Sequence, residues 1–166
     1  METTINSTTI DILESEDPLK GKFLLFGIKE EIYGIDIRYV TEIGVMQKIT
    51  AIPDFPDSII GVINLRGKII PVIDMRKRFS FEKKAYDDRT CIIVVDLDEM
   101  KVGLIVDTVM EVTTIPDELI DPPPSIHSGV KNQYIEGLGK IDKKVIILLG
   151  AKKLLYEDEI KSLKEI

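Results

Sequence analysis

Residue types that usually carry chemistry are sparse in this 166-residue chain. Its one histidine, His127, lies in a proline-rich stretch with no serine or cysteine near it in a nucleophile motif, and it reads as a surface-loop residue. Cys91 heads the apolar run Cys91-Ile-Ile-Val-Val95. It has no second cysteine to pair with and reads as a small packed hydrophobe, consistent with a reducing compartment. One histidine and one cysteine make no zinc set, and the acidic clusters Asp96-Asp98-Glu99 and Asp87-Asp88 lack the alternating spacing of a calcium loop. Two fragments imitate phosphate loops, Gly61 to Lys68 and Gly137-Leu-Gly-Lys140. The first has one residue too many between its glycines, and Ile69 stands where a hydroxyl should hold magnesium. No pair of carboxylates is selected by its spacing for glycoside hydrolysis. The residues therefore name no catalytic, metal or cofactor site, and recognition is the chemistry left to look for.

The strongest candidate for recognition is the charged turn Asn64-Leu-Arg-Gly-Lys68, set between two apolar runs of strand character, Ser58 to Leu65 and Lys68 to Met75. A turn that holds Arg66 beside a buried strand is placed to touch something. The elements that carry it belong to a repeat. Offset by 69 positions, Phe23 to Ile43 lies over Ile92 to Val112 without a gap, matching Gly34 with Gly103, Val40 with Val109 and Glu42 with Glu111. Both copies close on Ile-Pro-Asp, at Ile52 to Asp54 and Ile115 to Asp117, after one gap of six residues. Each copy opens with a hairpin: Phe23 to Ile28 and Ile32 to Ile37, then Ile92 to Leu97 and Lys101 to Val106. Gly34 and Gly103 inside the return strands predict a bulge or a close backbone approach. Pro71 predicts an edge position or a bulge, because it cannot donate to a ladder. Arg38 to Ile43 and Asp107 to Val112 fit a helical turn or a bent strand equally well. Tyr134 to Lys140 and Val145 to Leu149 echo the segment around Arg66 more loosely, so the duplication extends through both halves.

Hairpins and a duplicated half predict a mainly β fold of two small barrels, each of about four or five short strands, packed with pseudo-two-fold symmetry. The barrel halves are expected at about 21–85 and 86–150, after a flexible acidic tail at 1–20 and before a packed C-terminal helix at 151–166. Leu154, Leu155, Ile160 and Leu163 share a face of that helix. Under the symmetry Val40 and Ile43 are related to Val109 and Val112 across a groove suited to a helical partner. The bland alternative is that all four are core.

Composition bounds the partners. A net charge of −7 argues against a nucleic-acid binder and an anionic membrane surface. The N-terminus lacks the basic start and apolar centre of a signal peptide, and no apolar run is long enough to span a membrane. The segment from Asp121 to Gly129 reads as a long surface loop, a length associated with function or disorder.

Ile60 to Arg76, with its Asn-Leu-Arg-Gly turn, is preceded by Tyr33-Gly-Ile-Asp-Ile37 and followed by Val102-Gly-Leu-Ile-Val-Asp107 and Glu136-Gly-Leu-Gly139. Together these blocks resemble the CheW family of bacterial chemotaxis coupling proteins, over about Phe23 to Leu155. The resemblance implies two SH3-like five-stranded β-barrels and no catalysis or cofactor. It implies a cytoplasmic adaptor, recruited to the membrane-associated receptor array, that bridges the helical tips of chemoreceptors to the regulatory domain of the CheA-type histidine kinase, in rings that include other copies of the coupler. It further implies that Val40, Glu42, Ile43, Asn64 and Arg66 lie on protein-binding surfaces, joined by Val109 and Val112 through the repeat. Gly34, Gly61, Gly67 and Gly103 are expected to matter for folding, and Arg66 is expected to pair, half-buried, with Glu42 at the groove mouth. The alternatives are the adaptor half of a CheV-type protein, which would need the chain to be a fragment, and a divergent scaffold of another signalling pathway.

Overall fold

A computed structural model describes residues 17–98, 100–123, 133–155 and 157–164. His127, most of the proline-rich loop and residues 1–16 of the expected tail lie outside them. The described fold is mainly β. Strands β1 (Lys22–Ile28), β2 (Glu31–Asp36), β8 (Thr108–Thr114), β9 (Ile120–Asp121), β10 (Ile135–Ile141) and β11 (Lys144–Leu149) form one sheet, ordered β8-β1-β2-β11-β10-β9. Strands β3 (Val40–Val45), β4 (Ile59–Leu65), β5 (Lys68–Asp74), β6 (Cys91–Asp96) and β7 (Lys101–Val106) form the other, ordered β3-β6-β7-β5-β4. The two orders superpose once the extra β9 is set aside, and Thr50 bridging Val62 stands for it in the second sheet. Neither sheet closes through a ladder between its end strands, so the two barrels are open.

Sheet membership corrects the expected halves. The dividing line does not fall near residue 85: one sheet takes 22–36 with 108–149, and the other takes 40–106. Each repeat lends its third strand to the hairpin of the other, since β3 pairs with β6 and β8 pairs with β1. The symmetry survives the exchange, with Ile43 opposite Ile93 and Val112 opposite Leu24. A duplication shows which segments are equivalent. It does not show in which copy a strand finds its partner.

The exchange explains why the hairpin strands are apolar on both faces. Leu24 and Phe26 of β1, and Ile93 and Val95 of β6, enter a core shared by both sheets. Leu25 lines a smaller cluster inside the first sheet, and Ile92 and Val94 line another inside the second. Gly34 and Gly103 sit in regular register, so close approach rather than a bulge explains them. A Cβ at Gly103 would lie 2.8 Å from Val72 Cγ1 and 2.9 Å from Ile92 Cγ2. The register shifts fall instead beside Gly61 and Gly137, and at the matching places in β3 and β8. The segments after Arg38 and Asp107 are therefore bent strands, the first entered through a 3-10 turn, Ile37–Tyr39. Pro71 is not at an edge, since β5 lies between β4 and β7. The parallel ladder to β7 starts one residue later, at Val72, so the missing amide is not required there.

After β5, Asp74 caps the single turn Met75–Arg78 by accepting from the Arg76 amide. The expected C-terminal helix is divided into a 3-10 turn, Ala151–Leu154, and a helix, Glu157–Lys164. Leu155 between them is extended, and both Leu154 and Leu155 enter the shared core.

Candidate docking surface on the edge strands

The β4–β5 hairpin turns on two residues, Arg66 at φ 53° and Gly67 at φ 84°, the left-handed pair that a two-residue loop of type I′ needs. Asn64 fastens the turn, its Oδ1 accepting from the Gly67 amide at 2.9 Å. Asn64 therefore shapes the loop that presents Arg66. The guanidinium reaches the neighbouring edge strand, where Arg66 Nη2 lies 2.9 Å from Glu42 Oε1. The expected pair forms, but Arg66 is 81% exposed rather than half-buried, because it stands at the tip of the hairpin, while Glu42 is 25% exposed. Thr41 at the bulge donates from Oγ1 to the Val94 carbonyl, which leaves Glu42 facing the turn. Between them runs a small cleft, about 130 Å³, floored by Ile70 and Val94 and flanked by Lys68 and Lys101.

β3 and β8 each form one edge of their sheet, and both carry apolar side chains into solvent. On β3, Val40 is partly buried against the shared core while Ile43 is 43% exposed. Val45, 72% exposed, extends the strip. Its alternation with Ile43 is the signal that would have found it. On β8, Val109 packs partly against the same core, and Met110 and Val112 are exposed. The four expected valine and isoleucine positions thus divide into two half-core and two surface residues, on different sheets. The structure joins Glu42, Asn64 and Arg66 on one of them. The symmetry mate of the Arg66 cleft, about 120 Å³, holds Glu111 where the first holds Glu42, but Asp142 where the first holds Arg66. The repeat therefore preserves the shape and changes the charge.

A second set of charges fastens the two sheets together. Asp107, between β7 and β8, accepts from Arg76 Nε at 2.8 Å and Nη2 at 2.6 Å, and from the Lys29 amide at 2.8 Å. Burial on its own would raise the Asp107 carboxyl pKa. The Arg76 and Lys29 hydrogen bonds outweigh it and hold the group below its usual range. Among the described residues no cluster of His, Cys, Asp and Glu is arranged to hold a metal, and no helix is long and apolar enough to cross a membrane.

Residues 22–159 match the model of the CheW-like domain. The chain belongs to the CheW-like family. It is 39% identical over 139 residues to the chemotaxis protein CheW of Klebsiella aerogenes, covering 84% of each chain. To the probable chemotaxis protein CheW of Rhizobium etli it is 36% identical over 138 residues, covering 83% of this chain and 89% of the relative. The crystal structure of the scaffolding protein TtCheW from Thermoanaerobacter tengcongensis superposes with a TM-score of 0.76 at 42% identity, covering 84% of this chain and 94% of that one. This CheW-like chain is accordingly a chemotaxis scaffold and not an enzyme, and its open, two-sheet architecture is that of its family.

Proposed function

We propose that this protein couples the cytoplasmic tips of chemoreceptors to the regulatory domain of a CheA-type histidine kinase, working in the cytoplasm at the receptor array. The observation that carries the reading is the pair of solvent-facing apolar strips on the edge strands, one of them ending at the Glu42–Arg66 pair. Ile43 and Val45 on β3, and Met110 and Val112 on β8, offer the spaced apolar contacts that an amphipathic helix needs, and Val40 and Val109 back them from the core. In this reading the strips take receptor helices, and the turn formed by Asn64 and Arg66 takes the kinase. Individual contacts of about 1 μM, roughly −8 kcal/mol, suit an array component whose hold comes from many weak sites.

Calorimetric titration with the regulatory domain of the cognate kinase, and separately with a receptor-tip fragment, tests this. Saturable binding to both, with Arg66→Ala weakening the kinase arm and Ile43→Glu the receptor arm, is the expected result. Absence of binding to either, with folding verified, would turn the reading to a scaffold serving another pathway.

A further inference from the structure

Outside the docking surface, a cavity of about 330 Å³ lies behind the turn Met75–Arg78. Phe81 and Tyr86 supply its aromatic walls, with Ile60 beside them, and Lys77 and Lys83 stand at it without an ion pair among the described residues. Its volume lies in the range of small-ligand sites. The walls are fixed before any ligand arrives. Tyr86 donates its hydroxyl to Asp74 Oδ2 at 2.8 Å, and Arg76 is held by Asp107 and by the Glu82 carbonyl, the latter at 3.1 Å. Among the described residues Asp74 is the one carboxylate lining the cavity, and it is already committed on both oxygens, to Tyr86 and to the Arg76 amide. Arg76 is the third cation lining the cavity, and Lys29, outside the lining, has its Nζ 5.1 Å from the centre of the Phe81 ring. On a chain of net charge −7 this local excess of positive charge is unusual.

We propose that the cavity lined by Phe81, Tyr86, Lys77 and Lys83 binds a small organic anion, a phosphate or carboxylate carried on a flat apolar body. The body stacks between the aromatic walls, and the anion meets the two lysine ammonium groups. A ligand held here lies against Arg76, whose guanidinium Asp107 holds. This goes beyond the adaptor reading and does not depend on it.

Phenyl phosphate is the probe, with inorganic phosphate and phenol as its two halves, each titrated into the full chain and followed by the amide proton and nitrogen chemical shifts of the protein. For about eleven heavy atoms, a dissociation constant of about 1 mM is expected for phenyl phosphate, and binding at least about tenfold weaker for either half. The Lys77→Gln/Lys83→Gln double variant should weaken it by about tenfold without moving the melting temperature, and Tyr86→Ala should weaken it by as much. Inorganic phosphate binding as well as phenyl phosphate would overturn the proposal. So would affinity unchanged in both variants, or no saturation by phenyl phosphate. Loss of kinase-domain binding in the lysine variant, with no binding of the probe, would assign these charges to a protein contact instead.

Discussion

At the level of single residues, two kinds of sensitivity coexist around the β4–β5 hairpin, and they separate by measurement. Gly61 is constrained by its neighbours: a Cβ there would stand 2.3 Å from the Thr50 carbonyl oxygen, on the strap that bridges to Val62. Backbone oxygen cannot swing away as a flexible side chain does. Gly61→Ala should therefore cost roughly 2 to 4 kcal/mol of unfolding free energy, read by chemical denaturation. A cost below about 1 kcal/mol would mean that the strap yields. Arg66 is the contrary case. It is exposed, and a surface ion pair such as Arg66–Glu42 contributes about 0 to 1 kcal/mol to folding. Arg66→Met and Glu42→Gln should leave stability within about 1 kcal/mol of the parent. Each should weaken kinase-domain binding by about tenfold, with the double variant no worse than either single one. Strictly additive losses in the double-mutant cycle would show that the two side chains act on the partner separately.

At the level of elements, the C-terminal helix is fastened to the body by charge as well as by leucines. Arg78 Nη2 lies 2.7 Å from Glu159 Oε1 and 2.5 Å from Oε2, with both side chains only 2% exposed, and Ser58 donates to the same carboxylate. Removing one member takes a buried, hydrogen-bonded ion pair apart, so Arg78→Met should cost about 3 to 5 kcal/mol. Hydrogen exchange should place the loosening in 157–164 and the Met75–Arg78 turn. Uniform loosening across both sheets would refute the idea of a local fastening. This pair is invisible in the sequence, because 81 residues separate its members. The hairpins were legible because their turns lie between apolar runs of strand length. Glu42 and Arg66 were legible as a pair only through family resemblance, and their exposure was not, since it depends on a left-handed residue at the hairpin tip. The exchange of β3 and β8 was illegible for a different reason. Two equivalent strands satisfy the same pattern of alternation, and nothing local distinguishes a partner in the same copy from one in the other.

At the level of the whole molecule, that exchange makes the relation between the sheets a matter of two crossings, where the chain leaves one sheet and enters the other. Arg38 stands at the first, between β2 and β3, and Asp107 at the second, between β7 and β8. They are matched positions in the repeat with opposite charges. Arg38 meets Asp36 and Asp17, while Asp107 gathers Arg76 from one sheet and the Lys29 amide from the other. Because the folded state depresses the Asp107 carboxyl, its contribution to stability is present above the unfolded value of about 3.9 and fades as the pH falls through the lower folded one. The Asp36 carboxyl, which burial would raise but which Arg38 hydrogen bonds hold down, adds to the same acid limb. Asp107→Asn should therefore lower the melting temperature near neutrality, and its deficit should shrink as the pH falls from about 5 toward 2, where the parent loses the same interaction. Melting curves for both proteins across that range measure it. A deficit that stays constant with pH would mean that the charge of Asp107 contributes nothing, leaving only the shape of its hydrogen bonds to fasten the sheets.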